Sequence, residues 1–462
     1  MRTYDAIIIG SGQAGTPLAK KLALAGYKTA LIEKQHIGGT CTNTGCTPTK
    51  TMIASAKLAY HARQSPSLGI RTGTVQVDIK KIIARKDAIV ERFKGSATRN
   101  LEKVPGLDIY DGEASFTAEK TIRIDSENKK NLLLKADKIF INAGAKPVIP
   151  DVPGIDQINY LTSSSILDLK EIPEHLLIIG ASYIALEFGQ MYRRFGSKVT
   201  IVEQAPEFLS REDDDVAAEL RQILEDEGLS IFTASELKSV KTNAKGGLTA
   251  GVNVNGKRKT LTCSHILLAA GRSPETKPLN LNLTGVKTDE KGYILVNNKL
   301  ETNIKGIYAL GDIKGGPAFT HIAYNDHLVV FGNLVNGKAQ SIKNRMVPYC
   351  MFTDPQLGRI GITEKEAKAQ GLKFKVACIR MEKVARAIET GDTRGLMKAI
   401  VDKKTGLILG AAIIGTEGGE IMSVLQMAMM GGITYPEIRN GIFAHPTYSE
   451  SLNNLFMTLD KT

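Results

Sequence analysis

Residues 4–34 read YDAIIIGSGQAGTPLAKKLALAGYKTALIEK, and their pattern decides the fold. Ile7, Ile8 and Ile9 form the kind of apolar run that a strand buried on both faces requires. Gly10, Gly12 and Gly15 then complete G-x-G-x-x-G. Its glycines permit a tight turn, close approach of backbone to a pyrophosphate, and close packing of the next helix on the strand. The Ala- and Leu-rich stretch that follows has helical spacing, and Lys-Thr-Ala-Leu-Ile-Glu returns as a second strand ending at Glu33. In such a unit the helix N-terminus faces the phosphates, and a carboxylate about 20 residues past the glycines accepts the ribose hydroxyls of an adenosine. The glycines alone would also suit an ordinary strand-to-helix turn. Strand, helix and acidic terminus together predict a dinucleotide site.

The unit occurs twice. Residues 174–204 read EHLLIIGASYIALEFGQMYRRFGSKVTIVEQ, and Gly180, Gly196 and Glu203 each lie 170 residues beyond Gly10, Gly26 and Glu33. The second turn reads Gly180, Ser182, Ala185, so small residues replace its later glycines and contact with a pyrophosphate is less assured. A carboxylate at Glu203 would repel a 2′-phosphate, and Gln204 rather than an arginine follows it. This predicts NAD(H) in preference to NADP(H), with Arg211 the nearby residue able to upset that choice.

The chain has 462 residues, which at about 100–200 residues per domain suggests about three domains. Hydrophobic residues at 42% and charged residues at 23% exclude a disordered or fibrous chain. Apolar runs fall far short of the roughly 20 residues that span a bilayer, and the opening MRTYDAIIIG has no secretory-signal pattern, so a cytoplasmic protein is expected. The net charge of +12 raises nucleic acid or an anionic membrane as partners. Basic residues are scattered, acidic runs such as residues 212–215 intervene, Trp is absent and aromatics are 6%, so neither partner is expected. Five cysteines, Cys41, Cys46, Cys263, Cys350 and Cys378, are too few for a disulfide framework.

Cys41 and Cys46 lie five apart in GGTCTNTGCTPTK, residues 38–50, a Gly-rich loop leading into a helix with Pro48 in its first turn. The spacing allows a disulfide between loop and helix start. A thiolate at Cys46 would be favoured by the helix N-terminus and by Lys50 one turn on. Two buried thiols without redox function fit the spacing as well.

G-G-T-C-x-N-x-G-C-x-P-x-K resembles the active-site signature of the class I pyridine nucleotide–disulfide oxidoreductases, the family of dihydrolipoamide dehydrogenase, glutathione reductase and mercuric reductase. IFINAGAKP (139–147), LLAAGRSPE (267–275), IYALGDIKGG (307–316) and HPTYSE (445–450) resemble its further motifs, so the likeness covers nearly the whole chain. The implied fold class is α/β, with two Rossmann-like dinucleotide-binding domains, for FAD and NAD, and a C-terminal α+β dimerisation domain. The expected boundaries are 1–148 for the first part of the FAD domain and 149–272 for the NAD(P) domain. The second FAD part then spans 273–345 and the dimerisation domain 346–462.

The resemblance implies that Cys46 is the thiol against the flavin and Cys41 the interchange thiol that meets substrate. Lys50 would lie near the flavin and pair with Glu187. Gly10, Gly12, Gly15, Glu33, Thr40, Ala114, Gly144, Asp312 and Thr320 would contact FAD, and Gly180, Glu203 and Gly271 would hold NADH. Tyr183 would cover the flavin until nicotinamide displaces it. Glu450, five residues after His445, can orient one imidazole nitrogen while the other exchanges a proton with the interchange thiol. The family places that pair on the opposite subunit, implying a homodimer. No resident metal site is expected. Cys263, Cys350 and Cys378 match no motif and are expected to be buried or incidental, and the Met-rich segment IMSVLQMAMMGG is expected to be core or subunit contact.

The implied activity passes electrons between NAD(P)H and a small-molecule disulfide/dithiol couple through flavin and the Cys41–Cys46 disulfide. Thr42, Thr44, Thr47 and Thr49 replace residues mostly aliphatic or Ser in dihydrolipoamide dehydrogenases, which weakens lipoamide as acceptor. The vicinal C-terminal cysteines of mercuric reductases are missing, which weakens Hg(II). HIAYNDHLVV (321–330) and GDTRGLMKAIVD (391–402) resemble most the mercuric-reductase-like branch, whose members include metal-ion reductases. A Cu(II) or other metal-ion reductase is therefore a second expectation, and a non-catalytic assembly subunit a third.

Overall fold

A computed structural model describes residues 1–126, 131–244 and 246–461. The chain divides into two compact units: residues 1–51, 81–148 and 271–345 form the first, and residues 52–80, 149–270 and 346–462 the second.

The first unit opens with β1 (Arg2–Ile9), α1 (Gly15–Leu24) and β2 (Thr29–Glu33), followed by α2 (Gly39–Asn43) and by α3 (Cys46–Gln64), whose first turn belongs to this unit. After α4 (Ile79–Glu102) come β3 (Leu107–Asp111), β4 (Glu113–Ala118), β5 (Thr121–Asp125), β6 (Leu132–Ile141) and β7 (Ala145–Pro147). Strands β1, β2, β3 and β6 are parallel neighbours in the order β3-β2-β1-β6. The first half of β6 pairs antiparallel with β5, and β5 with β4.

Alternation along β1 explains why it is central. Ile7 and Ile9 enter one core with Ala114, Phe116 and Ile139. Ala6 and Ile8 enter another, where α1 presents Leu18, Ala19 and Leu22 at helical spacing.

The second unit contains β8 (Leu161–Thr162), β9 (His175–Ile179), α5 (Tyr183–Phe195), β10 (Lys198–Val202), α6 (Asp214–Asp226) and β11 (Leu229–Phe232). Then come β12 (Ser235–Thr242), β13 (Leu248–Val254), β14 (Lys257–Cys263) and β15 (His265–Leu268). A five-stranded parallel sheet, β11-β10-β9-β15-β8, repeats the strand–turn–helix–strand arrangement of the first unit. Its apolar face packs on the antiparallel β12-β13-β14 sheet through Leu177, Ile179, Leu237, Val252 and Ile266.

The chain returns to the first unit with β16 (Arg272–Pro274), antiparallel to β7, and β17 (Ile307–Ala309), parallel to the second half of β6, followed by α7 (Thr320–Leu334). The C-terminal part of the second unit is an antiparallel sheet of β18 (Tyr349–Met351), β19 (Gln356–Gly361), β20 (Phe374–Arg380), β21 (Leu396–Asp402) and β22 (Ile408–Gly415), in the order β18-β19-β22-β21-β20. The Met-rich segment is a helix, Gly418–Gly431, with Ile421, Met422, Leu425 and Ala428 buried in this core and Met427 and Met430 exposed. It thus contributes both core and an uncovered apolar face. Among the described residues no helix is long and apolar enough to cross a membrane.

Candidate active site and dinucleotide sites

The two glycine turns are built alike. Gly10 has φ +96° and Gly180 φ +100°, a region L side chains rarely adopt. A Cβ at Gly10 would fall 2.3 Å from the Asn142 carbonyl oxygen, and one at Gly180 would fall 2.5 Å from that of Ala269. At Gly15 it would meet the Gly10 carbonyl oxygen at 2.0 Å, whereas at Gly12 it would meet only Asn142 Oδ1 at 3.0 Å.

The acidic strand ends also correspond. Glu33 Oε2 accepts from the Ser11 N–H at 2.9 Å and the Ser11 hydroxyl at 2.6 Å, and Glu33 Oε1 accepts from the Gln35 N–H at 2.9 Å. Glu203 Oε2 accepts from the Ala181 N–H at 2.6 Å and its Oε1 from the Ala205 N–H at 2.7 Å. Each carboxylate is thereby fixed beside its turn with lone pairs left for ribose hydroxyls.

The remaining nucleotide-site expectations fall as follows. Ala114 is buried in the β-sheet core of its unit, so only its backbone is available to a ligand. Gly144 has φ +75° and open space where a Cβ would stand, and its carbonyl accepts the Glu275 N–H. Gly271 accepts the Val148 N–H beside the β7–β16 pair. Tyr183 is the first residue of α5 and is half-buried. Asp312 is half-buried with Arg272 Nη2 at 3.7 Å, and burial raises its pKa despite the arginine. Such a carboxylate gains from a hydroxyl donor, as a ribityl chain supplies. The first glycine turn, the anchored Glu33 and this half-buried acceptor fit FAD.

One residue of this site was not singled out from the sequence. Asn142, at the end of β6, accepts the Gly15 N–H on Oδ1 at 2.9 Å and donates Nδ2 to the Leu310 carbonyl at 2.9 Å, tying the first glycine turn to the strand end before Gly311. It lies in the quoted IFINAGAKP segment, and its amide was the available signal.

Cys41 lies in α2 and Cys46 opens α3; both are in the thiol form. Cys41 hydrogen-bonds Cys46, and that bond, followed by burial, holds the Cys41 thiol well above its ordinary range, while Thr320 and Lys50 pull the other way. Cys46 Sγ is 3.3 Å from Thr320 Oγ1, at the start of α7. Thr40 precedes Cys41 in α2, and its carbonyl accepts the Thr44 N–H. Lys50 stands in the first turns of α3 in the first unit. Glu187, on α5 of the second unit, is buried and accepts the Phe352 N–H at 2.8 Å.

In the C-terminal part of the second unit His445 Nδ1 meets both oxygens of Glu450, at 2.9 and 3.0 Å, with the imidazole exposed. Cys263 is buried, which raises its pKa to about 11, and Cys350 is half-buried. Cys378 is exposed on edge strand β20, so it is not buried.

Comparison with known proteins gives one family. Residues 4–326 match the pyridine nucleotide-disulphide oxidoreductase family, and residues 347–456 match that family's dimerisation domain. The chain is 38% identical over 460 residues to the probable pyridine nucleotide-disulfide oxidoreductase RclA of Escherichia coli, covering 99% of each chain. It is 33% identical to a mercuric reductase of Staphylococcus aureus, over 99% of this chain and 83% of the relative. A solved structure described as the Cu(II) complex of the HOCl-induced flavoprotein disulfide reductase RclA superposes with TM-score 0.91 and 36% identity, over 99% of this chain and 100% of that one. With two matching dinucleotide turns and a paired-cysteine loop already on one chain, these likenesses establish that it belongs to the pyridine nucleotide-disulphide oxidoreductases and is an FAD-dependent enzyme using a pyridine nucleotide.

Proposed function

We propose that Cys41 and Cys46 are the redox pair of this oxidoreductase, passing two electrons from NADH to a small disulfide. The carrying observation is the placement of Cys41 in α2 next to Cys46, the first residue of α3, with Thr320 Oγ1 3.3 Å from Cys46 Sγ. Bound FAD would supply the relay between nicotinamide and sulfur. Gly10, Gly12, Gly15, Glu33, Thr40, Gly144, Asp312, Thr320 and the backbone at Ala114 would hold it. Cys41 attacks the acceptor disulfide, and the mixed disulfide is then displaced by Cys46. His445, oriented by Glu450, takes the proton from the attacking thiol and returns it to the leaving one. Lys50, Glu187, Tyr183, Gly180 and Gly271 keep the roles that the resemblance assigns them.

The choice of NADH rests on Glu203: a carboxylate anchored by two N–H groups cannot turn away from a 2′-phosphate. The domain plan is 1–148, 149–272, 273–345 and 346–462, with a cytoplasmic homodimer as the working form. A second reading, a metal-ion reductase, is favoured by likeness to a relative crystallised with Cu(II).

Cys46→Ser tests the first proposal: the protein should keep bound flavin but lose the long-wavelength absorbance of the reduced enzyme and all disulfide turnover, and undiminished turnover would remove the pair from the mechanism. NADH and NADPH consumption against lipoamide, glutathione disulfide, Hg(II), Cu(II) and dioxygen separates the acceptors. Failure with every acceptor would favour an assembly role.

A further inference from the structure

We propose that Thr320 is a catalytic residue of the thiol–disulfide step, its hydroxyl donating a hydrogen bond to the sulfur that becomes negatively charged when the Cys41–Cys46 pair is reduced. The inference rests on the reading of those cysteines as the redox pair, and it gives Thr320 a task separate from holding a cofactor. Thr320 is the first residue of α7, and its Oγ1 lies 3.3 Å from Cys46 Sγ, within hydrogen-bonding range for sulfur. Thr320 also opposes the rise in the pKa of the neighbouring Cys41. Cys46 itself opens α3, so two helices start at residues in contact, and the positive ends of both act on this sulfur.

Reduction breaks the S–S bond, takes up two electrons from the pyridine nucleotide of the enzyme's own reaction and, near neutrality, one proton. In this proposal the proton resides on Cys41, whose ionisation its neighbour Cys46 and burial oppose, and the charge on Cys46 at the start of α3. A disulfide sulfur is a poor acceptor, whereas a thiolate is a strong one, so the Thr320 hydrogen bond strengthens as the pair is reduced. A donor that favours one oxidation state shifts the equilibrium between the two. Its removal should favour the disulfide and raise the pH at which Cys46 ionises.

The test uses full-length, flavin-loaded protein carrying Thr320→Val, which keeps the shape and deletes the donor, and Thr320→Ser, which keeps the donor. Each is equilibrated in graded oxidised and reduced dithiothreitol, alkylated, and its thiols counted by mass spectrometry; the alkylation rate of Cys46 is also followed against pH. Thr320→Val should move the equilibrium about tenfold toward the disulfide, or about 30 mV for a two-electron couple, and raise the alkylation midpoint by about one pH unit. Thr320→Ser should behave as the unmodified protein. A Val variant unchanged in both readouts overturns the proposal. Unmodified protein that never forms a Cys41–Cys46 disulfide overturns instead the reading on which it rests. Should Thr320→Val fail to fold, Thr320→Ala is judged by the same two outcomes.

Discussion

His445 carries its Nδ1 on both oxygens of Glu450, which fixes the ring and leaves Nε2 for proton exchange. Acid–base groups of this kind contribute about 10²–10⁴-fold to rate. His445→Gln should lower disulfide turnover within that range while leaving NADH oxidation by an artificial quinone, which needs no thiol proton, near its original rate; steady-state assays with both acceptors check the split. Glu450→Gln should give a smaller loss, because the imidazole remains. A different histidine adds a pH dependence to stability. His327, on α7, is fully buried, and burial, helped by Lys21, lowers its pKa from 6.5 to about 4. Between those values the unfolded chain binds the proton and the folded one does not, so stability is retained above about pH 6.5 and falls as the pH drops toward 4, by at most about 3 kcal/mol. Denaturant midpoints at pH 7 and pH 5 should differ less in His327→Leu than in the unmodified protein.

At the scale of elements, the two glycine turns should fail separately. Gly10→Ala places a Cβ at positive φ against the Asn142 carbonyl, a strain of at least about 2 kcal/mol, and the purified protein should hold less FAD, read as its absorbance ratio at 450 and 280 nm. Gly180→Ala meets the same conflict with Ala269, and should retain FAD while its KM for NADH rises about tenfold. These turns were legible in the sequence because strand, turn and helix periodicities are local, and the 170-residue offset showed that one solution had been used twice. The Asn142 brace was not, since its partners Gly15 and Leu310 lie 127 and 168 residues away. Residues 212–215 read as an acidic run between basic residues, yet Glu212 and Asp213 are buried. Tyr349 hydrogen-bonds Glu212, and Asp213 accepts the N–H groups of Glu364 and Lys365 with Lys398 at 3.4 Å. Charge burial of that kind depends on partners that only the folded chain brings near.

At the scale of the whole molecule, the C-terminal part of the second unit leaves apolar side chains uncovered, among them Met427 at 63% and Met430 at 62% exposure, within the stretch matching the dimerisation domain. Apolar surface of this sort on a globular chain marks an association face. A two-fold dimer would let the His445–Glu450 pair of one subunit serve the cysteine pair of the other. Mixed dimers decide whether it does. Cys46→Ser and His445→Gln proteins should each be inactive or nearly so toward a disulfide. After unfolding and refolding together, or co-expression with two purification tags, about half of the dimers combine one subunit of each kind. If the site is shared, each mixed dimer contains one site with both defects and one with neither, and the mixture recovers about a quarter of the original activity. If each subunit builds its site alone, every site retains a defect and no activity returns. Purifying the doubly tagged dimer sharpens the contrast, because half the original turnover per dimer is then expected against none, while NADH oxidation by an artificial quinone reports that the flavin is still loaded.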